Sequence, residues 1–229
     1  LDRELGTFFE YLDETVGKGR WSVLFTSDHG AQDVPEWEAE HGVPAIRLNR
    51  DTLAALQEVV HRVARSVRST EPAKLSRPLA AEVEALPWVA RAWSHQELET
   101  RQEPADSFDV LARNSHHPYR PTGILGRLGV QFMVEEHVLP FGYPEGGSTH
   151  QSGYYHDRHV PFVLMGPGVT PGVDPRRVSA THVAPTLARV LGVRVPGDLD
   201  GEAVPLGPVG PPEPVDPVDP AGEPSGIQR

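Results

Sequence analysis

The sequence predicts an α/β fold, a mostly parallel sheet sandwiched by helices with a small inserted α+β subdomain, and three observations carry that expectation. Residues 1–16 form an amphipathic pattern that leads into the apolar, β-rich run Trp21, Val23, Leu24 and Phe25. A run of that composition suits a strand buried on both faces. A second apolar run over 160–165 closes on Gly166-Pro167-Gly168, and a helical pattern over 183–191 follows it. Strands that alternate with helices in this way build a sheet covered by helical layers.

The first helix places Leu5, Phe8, Phe9 and Leu12 on one face, with Asp2, Arg3, Glu10 and Asp13 between them, and Gly17 and Gly19 end it. It reads as a helix already in progress at Leu1, so the chain is expected to be the second part of a longer protein. The strand after it runs into Thr26-Ser27-Asp28-His29-Gly30. Neighbouring side chains on a strand point to opposite faces, so Asp28 and His29 converge only where the strand stops and turns, as Gly30 permits. An oxygen and a nitrogen donor at the C-terminal end of a central strand lie where open α/β sheets bind ligands, and both donors suit Zn²⁺. The same tripeptide also serves in ordinary loops, where Asp caps a helix and Gly turns the chain.

Residues 31–48 are polar and broken by Pro35 and Pro44, which predicts a long loop beside the ligand-bearing end of the sheet. Trp37 within it suits a substrate-stacking surface or a lid contact. A helix is predicted over 51–67 from Leu53, Leu56, Val59, Val60 and Val63, and a second over 77–86. Residues 88–93 alternate as a half-buried strand, and Ser94 with Glu97 makes a capping box for a short helix. Two further strands are predicted over 108–112 and 130–134. Weak parallel-sheet character here marks 49–131 as a small α+β cap. Trp21, Trp88 and Trp93 are assigned to packing.

In the last helix Pro185 has no N–H and must sit in the first turn, which places the N-cap at Thr181 or His182. Residues 207–229, with PPEPVDPVDPAGEP, are too rich in Pro and too poor in large apolar side chains to pack, and predict a disordered tail. Composition narrows the function. A net charge of −11 without a basic stripe argues against a nucleic-acid polymer as partner. The absence of Cys excludes disulfides and thiolate metal sites, leaving His and carboxylate as ligands. No apolar run approaches the roughly 20 residues of a transmembrane helix.

A second His-bearing loop lies within Gly146-Gly147-Ser148-Thr149-His150-Gln151-Ser152-Gly153, followed by Tyr154, Asp157, Val160 and Pro161. With Thr26-Ser27-Asp28-His29-Gly30 before it and Thr181-His182-Val183-Ala184-Pro185-Thr186-Leu187 after it, it resembles the alkaline phosphatase superfamily. The similarity is to the phosphodiesterase/nucleotide pyrophosphatase and phosphate-irrepressible alkaline phosphatase branch, with residues 1–206 as the C-terminal part of its catalytic domain. The resemblance implies two divalent metals, most simply Zn²⁺, with Asp28 and His29 on the one that binds the nucleophile and His150 on the other. It implies hydrolysis of a small phosphate mono- or diester through a phosphorylated Thr or Ser, in a periplasmic or secreted protein.

That family's nucleophile, early Asp and Asp-x-x-x-His pair have no counterpart here, so no catalytic residue is assigned and the chain alone is expected to be inactive. A sulfatase, a phosphate mutase or a non-catalytic remnant of the same superfamily are the alternatives. Gln151 and His182 depart from the family pattern, which has Gly and Asp there. Asp157, seven residues beyond His150, suits either a carboxylate that accepts the free ring N–H of His150 or a turn or cap. His116, His117, His156 and His159 are read as exposed or hydrogen-bonding loop residues.

Overall fold

The computed structural model describes residues 1–100, 103–121, 123–139, 146–150, 152–195 and 197–207. In chain order its elements are α1 (Asp2–Leu12), β1 (Val23–Thr26), α2 (Pro35–Glu40), β2 (Ile46–Arg47), α3 (Arg50–Val67), α4 (Pro72–Glu84) and β3 (Val89–Ser94). Then follow α5 (His95–Leu98), α6 (Ser107–Ser115), β4 (Val130–Val134), β5 (Val138–Leu139), α7 (Tyr155–Arg158), β6 (Phe162–Met165) and α8 (Val183–Val190). The chain divides into two units. One joins Leu1–Asp28 to the described residues from Val160 onward, and the other spans His29–His159.

In the first unit α1 ends in a π turn over Asp13–Gly17, and the backbone leaves it through positive φ angles of 106° at Gly17 and 73° at Gly19. Trp21 stacks on Phe9 with ring centroids 5.5 Å apart and donates its indole N–H to Asp13 at 2.9 Å, the packing role expected of it. β1 pairs with β6 antiparallel, from Val23 opposite Met165 to Thr26 opposite Phe162. The expectation of a strand buried on both faces is corrected: β1 is only half-buried, and Val163 and Met165 of β6 are exposed. An apolar run shows that a strand wants cover, but a two-stranded sheet cannot supply a layer on each face. Among the described residues of this unit only Pro185 and Thr186 are buried. Pro185 sits in the first turn of α8 as expected, with His182 at the N-cap position, although Ser179 supplies the side-chain cap of the preceding 3-10 turn.

The second unit holds the hydrophobic core. α3 and α4 lie on the antiparallel pair β3–β4, burying Leu56, Val59, Val63, Leu75, Leu79, Val83, Trp88 and Val130. α3 begins on Asn49, whose side chain accepts from Asp51 and Thr52 N–H, and the capping box of Ser94 and Glu97 opens α5 as predicted. A satellite cluster of Trp93, Leu98, Ala112, Met133 and Tyr154 packs beside it. Of the three strand pairs described, only β2–β5 is parallel, so the mostly parallel sheet is not what these residues form. Apolar composition reports burial, and it carries no information about strand direction.

Three other expectations change. The supposed strand over 108–112 is part of helix α6, because Asp106 caps it by accepting the N–H of Asp109 at 2.9 Å and because Asp109 and Ala112 are buried at helical spacing. The long loop over 31–48 contains α2, with Pro35 in its first turn, and β2. α4 starts at Pro72, ahead of the predicted helix start, and continues through Pro78. Residues 208–229 of the predicted tail lie outside the described residues. No helix among the described residues is long and apolar enough to cross a membrane.

Asp109 ties the satellite cluster together. It accepts from the Trp93 indole at 2.7 Å, the Ala105 N–H at 2.9 Å and Arg91 at 3.1 Å. Burial works against its charge, yet those donors outweigh burial and hold the carboxyl below its ordinary value. Asp109→Ala strands the buried Trp93 donor and should lower the unfolding free energy by about 1–3 kcal/mol in urea titrations. His95 is pushed below its ordinary value of 6.5 by burial and then by His116, whose ring centroid is 4.6 Å away. A His of depressed pKa is protonated more readily when unfolded, so its contribution is intact above 6.5 and is lost as pH falls through the folded value. The melting temperature should therefore drop between about pH 7.5 and about pH 5.5, and drop less in His95→Gln.

Candidate metal centre

Two loops of the second unit converge on one point. His29 leaves the end of β1 and His150 precedes α7, and their imidazoles stack with centroids 3.3 Å apart and planes 12° apart. Residues 29 and 150, distant in sequence, thus lie ring against ring. Asp28 is the last residue of the first unit, with its carboxylate 3.4 Å from the Ser27 hydroxyl. Among the described residues no three His, Asp or Glu side chains are grouped so as to hold a metal ion.

The pair still has the donor chemistry of metal ligands. Nδ1 of His29 lies 2.7 Å from the carbonyl oxygen of Gly30. A carbonyl only accepts, so this contact is a hydrogen bond in the tautomer that carries its proton on Nδ1 and its lone pair on Nε2, the arrangement that orients ligand histidines. An imidazole lone pair lies in the plane of its ring. Two nearly parallel rings 3.3 Å apart therefore direct their lone pairs along separate, parallel planes and do not aim at one shared ion. Neither imidazole alone completes a coordination sphere, which takes three or four ligands.

Close backbone approach holds the loops together. Gly30 N–H donates to the carbonyl of Asp157 at 2.8 Å, and Gln32 N–H to that of Thr149 at 3.2 Å. The Ser148 hydroxyl in turn donates to the carbonyl of Gln32. A Cβ at position 30 would overlap the carbonyl oxygen of His156, so only glycine fits. Asp157 is buried, and its Oδ2 accepts from both the N–H and the hydroxyl of Ser152 at 2.7 Å. The turn-forming alternative for Asp157 is thus present. Gln151 lies outside the described residues.

The sequence reading passed over several residues of this site. Arg47 forks onto Glu36 at 2.7 Å and also donates to the Gly147 carbonyl at 2.8 Å, which anchors the His150 loop from the far side. Arg47 holds the Glu36 carboxyl down to about 2. Glu38, buried, takes the ring of His137 at 2.7 Å. The signal for both was the alternation of Glu36 and Glu38 in the first turn of a Pro-started helix. Trp37, on the same helix, is 51% exposed and stacks on His41 at 4.0 Å. His116 bonds Glu99 at 3.2 Å, and His159 stacks on Tyr155 at 4.4 Å, in keeping with their reading as hydrogen-bonding or loop groups.

A family model described as Sulfatase matches residues 1–193, most of the chain. The chain belongs to the alkaline phosphatase superfamily, through its sulfatase family domain. It is 26% identical over 225 residues to the "Calcium-transporting ATPase" of Myroides odoratus and 24% identical over 219 residues to alkaline phosphatase PafA of Elizabethkingia meningoseptica. These matches cover 86% and 89% of this chain but 38% and 40% of those proteins. Alkaline phosphatase PhoV of Synechococcus elongatus is 24% identical over 218 residues, covering 89% of the chain and 39% of that protein. The crystal structure of wild-type PafA shares the fold with a TM-score of 0.71 at 21% identity, over 89% of this chain and 41% of that one. The chain thus spans about two-fifths of the length of these superfamily members.

The tight approach at position 30 makes a prediction. Gly30→Ala must push the His29 loop off α7, and should lower the unfolding free energy by about 1–3 kcal/mol, the range for overpacking. Urea unfolding measures it, and an unchanged midpoint would contradict the close approach.

Proposed function

We propose that this chain is part of a metal-dependent phosphohydrolase that cleaves small phosphate mono- or diesters through a phosphorylated Thr or Ser. The observation that carries this reading is the meeting of His29 and His150 in near-parallel stacking, which suits one ligand on each of two cations. Support comes also from relatives named alkaline phosphatase, PafA and PhoV among them.

In this reading Asp28 and His29 serve the cation nearer the nucleophile and His150 serves its partner, both cations being Zn²⁺. When bound, such a pair neutralises charge on the entering and leaving oxygens of an in-line displacement at phosphorus. The chain's own part is to hold the two imidazoles apart at fixed spacing, to keep the His29 tautomer through the Gly30 carbonyl, and to bring the loops to one place. The nucleophile and the remaining ligands come from the portion of the family domain that this chain does not span. Residues 49–131 form the inserted cap, and the whole protein acts in the periplasm or outside the cell.

Full-length chain, supplied with Zn²⁺, should hydrolyse nitrophenyl phosphate, its diester and nitrophenyl sulfate no faster than its His150→Ala variant. Reconstituted with the remainder of the domain, it should turn over a phosphate ester, and His150→Ala should reduce that rate by about 100-fold or more. A preference for the sulfate would replace the phosphate reading. Metal-dependent turnover by the chain alone, lost in His150→Ala, would show that it carries its own nucleophile.

A further inference from the structure

The two histidine loops are joined by polar links, and one residue takes part on both sides. The carboxylate of Asp157 holds the His150 loop through the N–H and hydroxyl of Ser152. Its backbone carbonyl holds the His29 loop through the N–H of Gly30. Neither link uses a hydrophobic contact, and of the neighbouring residues only Tyr154 belongs to a core cluster. The carboxylate also lies 3.6 Å from the ring of His156, whose backbone carbonyl is the surface against which Gly30 is pressed.

We infer that Asp157 is a positioning residue that sets the distance between the imidazoles of His29 and His150, by clamping α7 to both loops at once. The inference rests on the reading of those histidines as ligands for paired cations, but its mechanical part stands without any metal. When the Asp157 carboxylate is removed, Ser152 is released directly. Gly30 and Gln32 bond only backbone carbonyls, of Asp157 and Thr149, and no substitution at position 157 deletes those acceptors. If Asp157 merely caps its own turn, those two N–H groups should not notice its loss. If it clamps both loops, they should open together with Ser152.

Residue-resolved hydrogen exchange on the full-length chain separates the two roles. In Asp157→Ala the N–H groups of Ser152, Gly30 and Gln32 should all exchange about tenfold faster or more, while those of α3 and α4 stay as protected as before. Ser152→Ala, which removes the hydroxyl's bond to Asp157 together with its contacts to the Tyr154 N–H and the His156 ring but keeps the Ser152 N–H bond, should give the same pattern more weakly, and it keeps the test decisive if Asp157→Ala does not fold. Asp157→Asn retains one acceptor oxygen and should restore part of the protection. Unchanged exchange at Gly30 and Gln32 in both Asp157→Ala and Ser152→Ala would overturn the inference and leave Asp157 a local cap.

A calorimetric titration with Zn²⁺ alone adds the second readout. Loss of a group that orients ligands lowers metal affinity by about 10- to 100-fold, so Asp157→Ala should weaken the binding seen for the unaltered chain by that factor. Equal Zn²⁺ affinity in the two proteins would overturn the link from clamp to ligand spacing. If the unaltered chain takes up no Zn²⁺ while the exchange pattern appears as described, the clamp is upheld and the metal reading is what fails.

Discussion

The arrangement of the site depends on one hydrogen bond, from the N–H of Gly30 to the carbonyl of Asp157 at 2.8 Å. Two backbones approach this closely only where a side chain is missing, and position 30 has none to spare because the His156 carbonyl occupies the place of its Cβ. The contact presses the residue after His29 onto α7, and α7 follows the loop that carries His150. The second pair of links, Gln32 to Thr149 and Ser148 to Gln32, then aligns the two loops side by side. Stacked imidazoles are the consequence.

The site is braced by charge where the rest of its unit is braced by apolar packing. α3, α4 and the β3–β4 pair share a continuous hydrophobic cluster, whereas the loops around His29 and His150 are held by Arg47 with Glu36 and Gly147, and by Asp157 with Ser152 and Gly30. Such links are directional. A hydrophobic contact tolerates sliding by fractions of an ångström, but a forked guanidinium or a carboxylate taking two donors does not. His137 also adopts φ of 64°, a left-handed conformation uncommon for a residue with a side chain. Directional bracing suits a place whose work is to hold two nitrogens at a set spacing.

The legible parts of this chain were those with local cause. Apolar spacing placed α1 and α3, the Ser94 and Glu97 pair placed α5, and the ban on an interior N–H placed Pro185 in the first turn of α8. His29 and His150 each stand in a motif loop of the sequence, and their rings stack in the fold. What escaped was set by partners far along the chain. Four apolar residues in 108–112 look the same in a strand or a helix until Asp106 is seen to cap them. Whether β1 and β6 run parallel is decided by pairing, and pairing leaves no mark in either run alone. Glu36 and Glu38 mark the start of α2 in the sequence, but nothing local ties Arg47 to the Gly147 carbonyl a hundred positions away.

Charge gives an independent reason to look for cations at this site. The chain carries 32 acidic residues against 21 Lys and Arg, and at net −11 its long-range field opposes a phosphate ester approaching from solution. Salt limits that field to about 8 Å at physiological ionic strength, so binding is decided by the charges immediately around the anion. The guanidinium of Arg47 bonds the Gly147 carbonyl of the His150 loop, and its charge is already balanced by the two oxygens of Glu36, whose carboxyl it holds ionised down to about 2. In the proposed reading His29 and His150 would offer their ring nitrogens to the cations that an anionic ester needs. An imidazole lone pair attracts phosphate poorly by itself and a divalent cation well. An acidic protein that is to hold an anion between such groups therefore has to hold the cations first.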